Sequence, residues 1–256
     1  MLNFFGWLGR KTLGLLTEMG QIVLLFASAC YWLFRPPFRW RLFFKQMEFI
    51  GFHSIFVVGL TGLFTGMVLA LQTYYAFSMF SAESLVGATV ALSMTRELGP
   101  VITALMVTGR AGSSIAAELG TMRVTEQVDA LTVMAISPVQ YLVVPRILAA
   151  VVVLPLLTVI SDFIGIFGGY LVGVKLLGIN GGLFMNKIYE FLEVEDIYNG
   201  LIKAAFFGLL LALIGCYKGF YTSGGAEGVG KATTQAVVMA SVLILMSDYV
   251  MTALMF

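Results

Sequence analysis

The residues best placed to do chemistry are charged side chains within long apolar stretches. Arg96 and Glu97 are adjacent in T-R-E-L-G-P, Lys203 lies in L-I-K-A-A-F, and Asp162 and Asp248 each interrupt an apolar run. A charge at the centre of a bilayer costs roughly 2.5–3.5 kcal/mol on insertion scales, so such residues usually face protein or water. The sequence therefore predicts polar groups inside a membrane, suited to moving or gating a ligand.

Two interpretations of these charges are open. Arg96 and Glu97 either line the wall of a cavity or form a structural ion pair. Lys203 either extends to the membrane interface or faces a cavity in which it meets an anionic headgroup. Asp162 is interpreted as structural, because the sequence around it is rich in glycine and predicts tight packing.

Pro100 predicts an irregularity beside the charged pair. Proline has no N–H to donate to the carbonyl of Arg96, and its ring crowds that carbonyl. An unbroken helix over 85–117 would measure about 50 Å at 1.5 Å per residue, which exceeds the hydrocarbon thickness of a bilayer. We therefore expect this segment to tilt, break or project beyond the membrane.

Hydrolytic, metal and nucleotide chemistry find little support in the sequence. The single histidine and the distant cysteines Cys30 and Cys216 disfavour a catalytic triad, a zinc site and a disulfide. Residues 225–232 read G-A-E-G-V-G-K-A, which resembles a phosphate-binding loop but has Ala232 at the hydroxyl position and no preceding strand. A net charge of +1 does not favour a nucleic-acid partner. We expect no cofactor, metal or catalytic residue on this chain.

The composition requires elements that are solvated by lipid. Apolar residues make up 59% of the 256 residues and charged residues 11%, whereas a soluble domain carries roughly 25% charged residues. Mean hydropathy is +0.95. We predict an all-α integral membrane protein with an N-terminal interfacial helix and about five transmembrane helices. The predicted spans, each near twenty apolar residues or longer, cover 49–80, 85–117, 139–174, 197–217 and 232–256.

Residues 1–48 are predicted to be interfacial and elbow helices ahead of a transmembrane domain at 49–256. Residues 13–34 are fairly apolar but carry Glu18 and Gln21, and R-P-P-F-R-W-R follows them. The distribution of lysine and arginine places the N-terminus in the cytoplasm and the C-terminus outside. The cytoplasmic segments are 1–48, 118–138 and 218–231, and the opposite side holds the acidic segment 175–196.

Small residues recur at four-residue spacing on two predicted spans. Gly62 and Gly66 lie on the first, and Gly165, Gly169 and Gly173 lie on the third. Small side chains let helix backbones approach closely in lipid. We favour packing within one chain over a seam between two copies.

The segment 118–131 predicts a short amphipathic helix on the cytoplasmic side. Val124, Val128 and Leu131 recur at i, i+4 and i+7, which gives the helix one apolar face. Arg123, Glu126 and Asp129 supply charges around the rest. The helix is either a solvated loop element or a docking element for a soluble motor protein, and the residues alone favour neither.

A long stretch of the chain resembles the MlaE (YrbE) family. The stretch reads R-E-L-G-P-V-I-T-A-L-M-V-T-G-R-A-G-S-S-I-A-A-E-L-G-T-M-R-V-T-E-Q-V-D-A-L. G-L-F-T-G-M-V-L-A-L-Q, L-P-L-L-T-V-I and D-Y-V-M-T-A-L-M-F are also similar to family sequence, so the resemblance covers essentially the whole chain. The family comprises permease subunits of ABC transporters that move phospholipids between bacterial membranes.

The resemblance implies a homodimer in the inner membrane that maintains outer-membrane lipid asymmetry. Its implied partners are cytoplasmic ATPase subunits that bind ATP and Mg²⁺, a periplasmic ring of MCE-domain protein, a STAS-domain protein and phospholipid. It places a coupling helix within 118–137 and implies that this chain is not itself an enzyme. The implied lipid-binding residues are Arg96, Glu97, Lys203, Gln72 and Leu69, and the implied ATPase-coupling residues are Glu118, Arg123, Glu126 and Asp129.

Two rival functions fit the same residues. An autonomous ion-coupled carrier or channel would use Glu97, Asp162 and Asp248 as titrating groups, and an inverted repeat would favour it. We see no such repeat. A membrane anchor for a soluble complex would need no lipid path.

Overall fold

The computed structural model describes residues 2–33, 35–36 and 39–255, without the side chains of residues 2–11 and Leu15. These residues form helices and no strand. The α-helices, in chain order, are α1 Leu2–Leu33, α2 Trp40–Ile50, α3 Ile55–Ser78, α4 Val86–Ser93, α5 Gly99–Val107, α6 Ser113–Val124, α7 Gln127–Val133, α8 Val144–Tyr170, α9 Gly181–Phe191, α10 Val194–Phe220 and α11 Gly225–Met255.

Six helical segments in the described part are long and apolar enough to cross a membrane, one more than the five predicted. The additional segment is Thr12–Leu33, with 22 residues and a mean hydropathy of 1.6. Glu18 and Gln21 led us to interpret it as interfacial, yet its length meets the requirement of about twenty residues. Its interfacial placement stays a prediction. The other five are Trp40–Ser78, Glu83–Val124, Val139–Leu176, Val194–Phe220 and Gly225–Met255.

The core forms where α3 lies against α8 and where α10 lies between α6, α8 and α11. Glycines permit the first of these contacts. A Cβ atom on Gly66 would overlap the carbonyl of Gly165, and one on Gly62 would lie 2.8 Å from the backbone oxygen of Ser161. The predicted packing of these glycines within one chain is confirmed.

The path from α4 to α6 is one continuous helix with two irregular turns. Met94–Leu98 and Thr108–Gly112 are π-helical. The first lies directly before Pro100, so the predicted irregularity at that proline is confirmed. π-helical turns recur at functional sites because they change which side chains share a face. The helix continues to Val124, beyond the predicted end of the span at residue 117.

The short helix α7 follows a sharp reversal at Glu126, whose φ of 60° is left-handed. This reversal divides the predicted amphipathic helix over 118–131, because α6 ends at Val124 and α7 begins only at Gln127. Val128 is buried at 2% exposure, but Val124 is 37% exposed, so the predicted apolar face shared by Val124, Val128 and Leu131 is wrong. Residues 225–232 form the first turns of α11. The phosphate-loop-like stretch is therefore helical throughout, and it follows the helix α10 rather than a strand.

Candidate functional site

Lys203 is fully buried inside the helix bundle, at 0% exposure on α10. Its Nζ donates to the backbone oxygen of Arg96 at 3.1 Å, to Glu97 Oε1 at 2.9 Å and to Thr252 Oγ1 at 2.7 Å. It also lies 3.3 Å from Asp248 Oδ1. Within this chain Lys203 therefore faces inward, and the alternative of an extension to the interface is wrong.

Pro100 explains why the ammonium group contacts a backbone carbonyl in the middle of a helix. The carbonyl of Arg96 would ordinarily accept from the N–H four residues later, and proline has none. Lys203 Nζ supplies a donor at 3.1 Å. An unsatisfied carbonyl in a membrane costs several kcal/mol, so the proline and the lysine are complementary parts of one arrangement.

Glu97 and Asp248 place two carboxylates beside one ammonium group. The Glu97 side chain is 36% exposed and that of Asp248 is 19% exposed, so the cluster opens towards Glu97. Thr252 Oγ1 lies 3.1 Å from Glu97 Oε1 and 2.8 Å from the backbone oxygen of Asp248. Sequence reasoning missed Thr252, although its position four residues after Asp248 places both on one helix face. We call Arg96, Glu97, Lys203, Asp248 and Thr252 the lysine cluster.

Arg96 and Glu97 each form an ion pair with α10. Nη2 of Arg96 lies 2.6 Å from Oδ1 of Asp196 near the start of that helix, while Glu97 pairs with Lys203 two turns later. Asp196 also accepts from the backbone N–H of Glu193 at 3.1 Å, completing the capping box of α10. The Arg96 side chain is 38% exposed, so it is more accessible to a ligand than Lys203.

The close approach of α10 to the first π-helical turn depends on Gly200. A Cβ atom there would overlap the carbonyl of Thr95. Asp196, Gly200 and Lys203 follow i, i+4 and i+7 spacing, so they share one face of α10. This spacing marks a charged face of α10 in the sequence, but it does not identify the helix that pairs with that face.

The two remaining predicted ligand-binding residues lie on α3. Leu69 is half-buried and packs against the cluster of apolar residues that includes Met94, the first residue of the π-helical turn. Gln72 is exposed. Both follow Gly66, where α3 touches α8. Their lipid-binding role stays a prediction.

The residues predicted to couple to an ATPase form a second group, at the far end of the α4–α6 path. Arg123 and Asp129 form an ion pair that joins α6 to α7. Glu118 Oε2 lies 2.8 Å from Nη2 of Arg146 on α8. Glu126 is exposed at the reversal.

Sequence reasoning did not identify the structural roles of Arg110 and Arg146, which both donate hydrogen bonds to backbone oxygens. Arg110, on the second π-helical turn, donates to the backbone oxygens of Phe49 at 2.6 Å and Ile50 at 3.1 Å, and to Ser54 Oγ at 2.8 Å. It thereby satisfies carbonyls at the C-terminal end of α2. Arg146 is 3% exposed and donates to the backbone oxygen of Leu142 at 2.7 Å.

The described residues include no group of three histidine, cysteine, aspartate or glutamate side chains that could hold a metal ion. The lysine cluster instead combines two carboxylates, an ammonium, a guanidinium and a hydroxyl, which together suit binding of a polar group within an apolar protein. The family model described as Permease MlaE matches residues 43–254, which include the lysine cluster and the second group.

The chain belongs to the MlaE permease family. A relative named probable ABC transporter permease protein, from Rickettsia bellii, is 48% identical over 256 residues, covering 100% of this chain and 99% of the relative. The intermembrane phospholipid transport system permease protein MlaE of Haemophilus influenzae is 40% identical over 259 residues, covering 100% of this chain and 98% of the relative. TRIGALACTOSYLDIACYLGLYCEROL 1 of Arabidopsis thaliana, a chloroplastic protein, is 38% identical over 93% of this chain and 66% of its own length. The bacterial relatives among these are named as permeases.

Proposed function

We propose that this MlaE-family chain is the membrane-spanning permease subunit of an ATP-driven ABC transporter that moves phospholipids between the inner and outer bacterial membranes. The observation that carries the proposal is the lysine cluster, a set of charged groups held among helices long and apolar enough to cross a bilayer. The name of the Haemophilus relative supports phospholipid as the substrate class.

We assign different roles to the charged side chains of the site, and their different exposures support this assignment. Arg96, at 38% exposure, attracts the phosphate of a headgroup, because guanidinium groups bind phosphate oxygens in pairs. Lys203, at 0% exposure, is a positioning residue that fixes Glu97 and the backbone at Arg96. Leu69 and Gln72 on α3 line the path of the lipid beyond the headgroup.

The second group transmits the motion of a separate ATPase subunit, which binds ATP and Mg²⁺. Glu126 and the α7 surface dock that subunit, while Arg123–Asp129 and Glu118–Arg146 fix α7 and α6 to the membrane helices. One helical path leads from Arg123 to Arg96 through both π-helical turns. Closure of the ATPase therefore has a mechanical route to the lysine cluster.

The proposed assembly is a homodimer in the bacterial inner membrane, with the N-terminus cytoplasmic and the C-terminus periplasmic. An MCE-domain ring on the periplasmic side and a STAS-domain protein complete it. The charge asymmetry of the loops and the family membership support this arrangement.

Charge reversal of the central lysine tests the proposed site. The chain is reconstituted with its ATPase into liposomes, and transfer of a labelled phospholipid is measured for wild type, Lys203→Glu and the control Lys231→Glu. Lys231 is a suitable control because it is an exposed lysine on α11 whose ion pair, 2.6 Å long, is with Glu227 on the same helix.

Lys203→Glu should lower ATP-dependent transfer by at least about tenfold, because a third carboxylate replaces the ammonium group that the other two require. Lys231→Glu should leave transfer within about twofold of wild type, since exposed pairs contribute little. Equal transfer by Lys203→Glu and wild type, with equal amounts of assembled complex, would remove the cluster from the lipid path.

A substitution at the second group tests docking separately. Glu126→Arg should reduce co-purification of the ATPase or uncouple its ATP turnover from lipid, because Glu126 is exposed and has no ion pair among the described residues. Normal co-purification together with normal lipid-stimulated turnover would count against the docking role.

An ion-coupled carrier is the second candidate, and one observation favours it. Glu97 and Asp248 share a single lysine, an arrangement that proton-carrying transporters also use. Transfer driven by an ion gradient in liposomes without the ATPase would support this candidate against the first.

A further inference from the structure

A cavity of about 150 Å³ lies where the N-terminal segment meets the start of α8. Its lining is mostly apolar, with Phe43 from α2 and Leu148 from α8, and its polar groups come from Arg35, Arg39 and Gln140. Gln140 Nε2 donates to the backbone oxygen of Arg35 at 3.0 Å, which fixes the N-terminal segment against the π-helical turn Val139–Val143 that leads into α8. The cavity therefore combines an apolar interior with cationic groups.

The two arginines have aromatic contacts but no carboxylate partner among the described residues. The Arg35 guanidinium lies 4.4 Å from the ring centroid of Tyr31, and that of Arg39 lies 4.5 Å from the ring centroid of Tyr141. Nε of Arg39 is buried and has no hydrogen-bond acceptor in the described part of the chain. A buried, unsatisfied cationic donor is costly, so an anionic ligand would complete this site.

Further positive charge lies beside the cavity. Arg39, Arg41 and Lys45 line a neighbouring cavity of about 560 Å³, and none of the three forms an ion pair within the described residues. Clusters of lysine and arginine next to a membrane helix attract anionic lipids. Exposed Trp40, at 64%, adds the kind of aromatic residue that is enriched at the membrane interface.

A second cavity, mostly apolar but with Glu48 in its lining, lies further along α2 and α8. This cavity of about 500 Å³ begins one turn beyond Phe43, at Met47, and extends to Ile160 on α8. From Val144 to Ile160 the helix rises about 24 Å at 1.5 Å per residue. The linings of the two cavities together extend over more than the depth of one leaflet, about 15 Å, so they offer apolar contacts along the length of an acyl chain.

We propose that this junction binds one anionic phospholipid from the surrounding bilayer. The phosphate contacts Arg35 and Arg39, and an acyl chain lies along α2 and α8 from the first cavity to the second. The site shares no residue with the lysine cluster, so its lipid is distinct from one in transit. Bound there, the lipid joins the N-terminal segment to α8.

The test compares lipid binding by the purified full chain in nanodiscs of phosphatidylcholine with and without phosphatidylglycerol. The variants are Arg35→Gln/Arg39→Gln, the charge-retaining Arg35→Lys/Arg39→Lys, and the control Lys231→Gln. Native mass spectrometry counts retained phosphatidylglycerol, and thermal unfolding measures the stabilisation it gives. Because each result is a difference between variants, lipid at the lysine cluster contributes equally to all of them.

We expect the glutamine variant to lose about one retained phosphatidylglycerol per chain and to bind it about 30-fold more weakly, which corresponds to two cations near an anionic lipid. The lysine variant and Lys231→Gln should still bind phosphatidylglycerol in preference to phosphatidylcholine. The proposal would be overturned if the glutamine variant retained as much phosphatidylglycerol as wild type, or if phosphatidylcholine stabilised the chain as much as phosphatidylglycerol does. Full displacement of phosphatidylglycerol by millimolar inorganic phosphate would also overturn it.

Discussion

The ammonium group of Lys203 carries three protons, and each has an acceptor. The acceptors are the backbone oxygen of Arg96, Oε1 of Glu97 and Oγ1 of Thr252. This match accounts for a fully buried lysine in an apolar bundle, since a buried cation requires partners for its charge and its donors. It also explains why Arg96, which is 38% exposed, rather than Lys203 is the cation positioned to meet a ligand.

Replacing Lys203 with methionine should reduce the free energy of unfolding by about 3 kcal/mol, because Glu97 and Asp248 would remain without their shared cation. The double variant Lys203→Met/Glu97→Gln should recover part of this loss, because one stranded charge is removed. Denaturant unfolding in detergent measures both. If the two variants were equally unstable, the ion pair between Lys203 and Glu97 would not be contributing as described.

Arg110 provides a second prediction at the level of a single side chain. Arg110→Met should lower the free energy of unfolding by about 2 kcal/mol, because it removes charge-assisted hydrogen bonds to the end of α2. Hydrogen exchange should increase selectively near Ile50 and Ser54. A uniform increase in hydrogen exchange across the chain, or no increase beyond that of the control Lys231→Met, would contradict the capping role.

At the level of the element, the α3–α8 contact depends on small residues that let the two backbones touch. Gly66→Ala should lower the free energy of unfolding by about 2 kcal/mol, because the added methyl group would overlap the carbonyl of Gly165. Gly230→Ala is the matched control, since nothing lies within 4 Å of its Cβ position. The control should be neutral or slightly stabilising. Thermal unfolding of both variants in the same detergent distinguishes close packing from a general intolerance of alanine.

The helix irregularity at Pro100 should matter for coupling more than for stability. Pro100→Ala supplies an N–H that competes with Lys203 for the carbonyl of Arg96. The variant should fold with unchanged or higher stability, while ATP-dependent lipid transfer falls by up to about tenfold, the equivalent of one hydrogen bond. Unchanged transfer would show that the contact between Lys203 and this carbonyl has no role in coupling.

At the level of the whole molecule, the sequence predicted features that depend on local composition. Apolar length predicted five of the six candidate spans, and Pro100 predicted the irregularity beside the charged pair. The four-residue spacing of Gly62 and Gly66 predicted close packing within the chain. Thr12–Leu33 was interpreted as interfacial because Glu18 and Gln21 lie within it, yet it is long enough to cross a membrane.

The pairing of distant side chains could not be predicted in the same way. Arg96 is one hundred positions away from Asp196 along the chain, and Lys203 is far from both Glu97 and Thr252. Such pairs form only after α10 has packed against the π-helical turn, so tertiary packing decides them. Composition identified the charges as unusual, but only the three-dimensional structure identifies their partners.

The central claim is that this chain provides a phospholipid path that a separate ATPase drives. The most direct measurement is transfer of labelled phospholipid by the wild-type chain in liposomes, with and without the ATPase and with ATP or an imposed ion gradient. The account predicts transfer only when both the ATPase and hydrolysable ATP are present. Transfer driven by an ion gradient without the ATPase would contradict it.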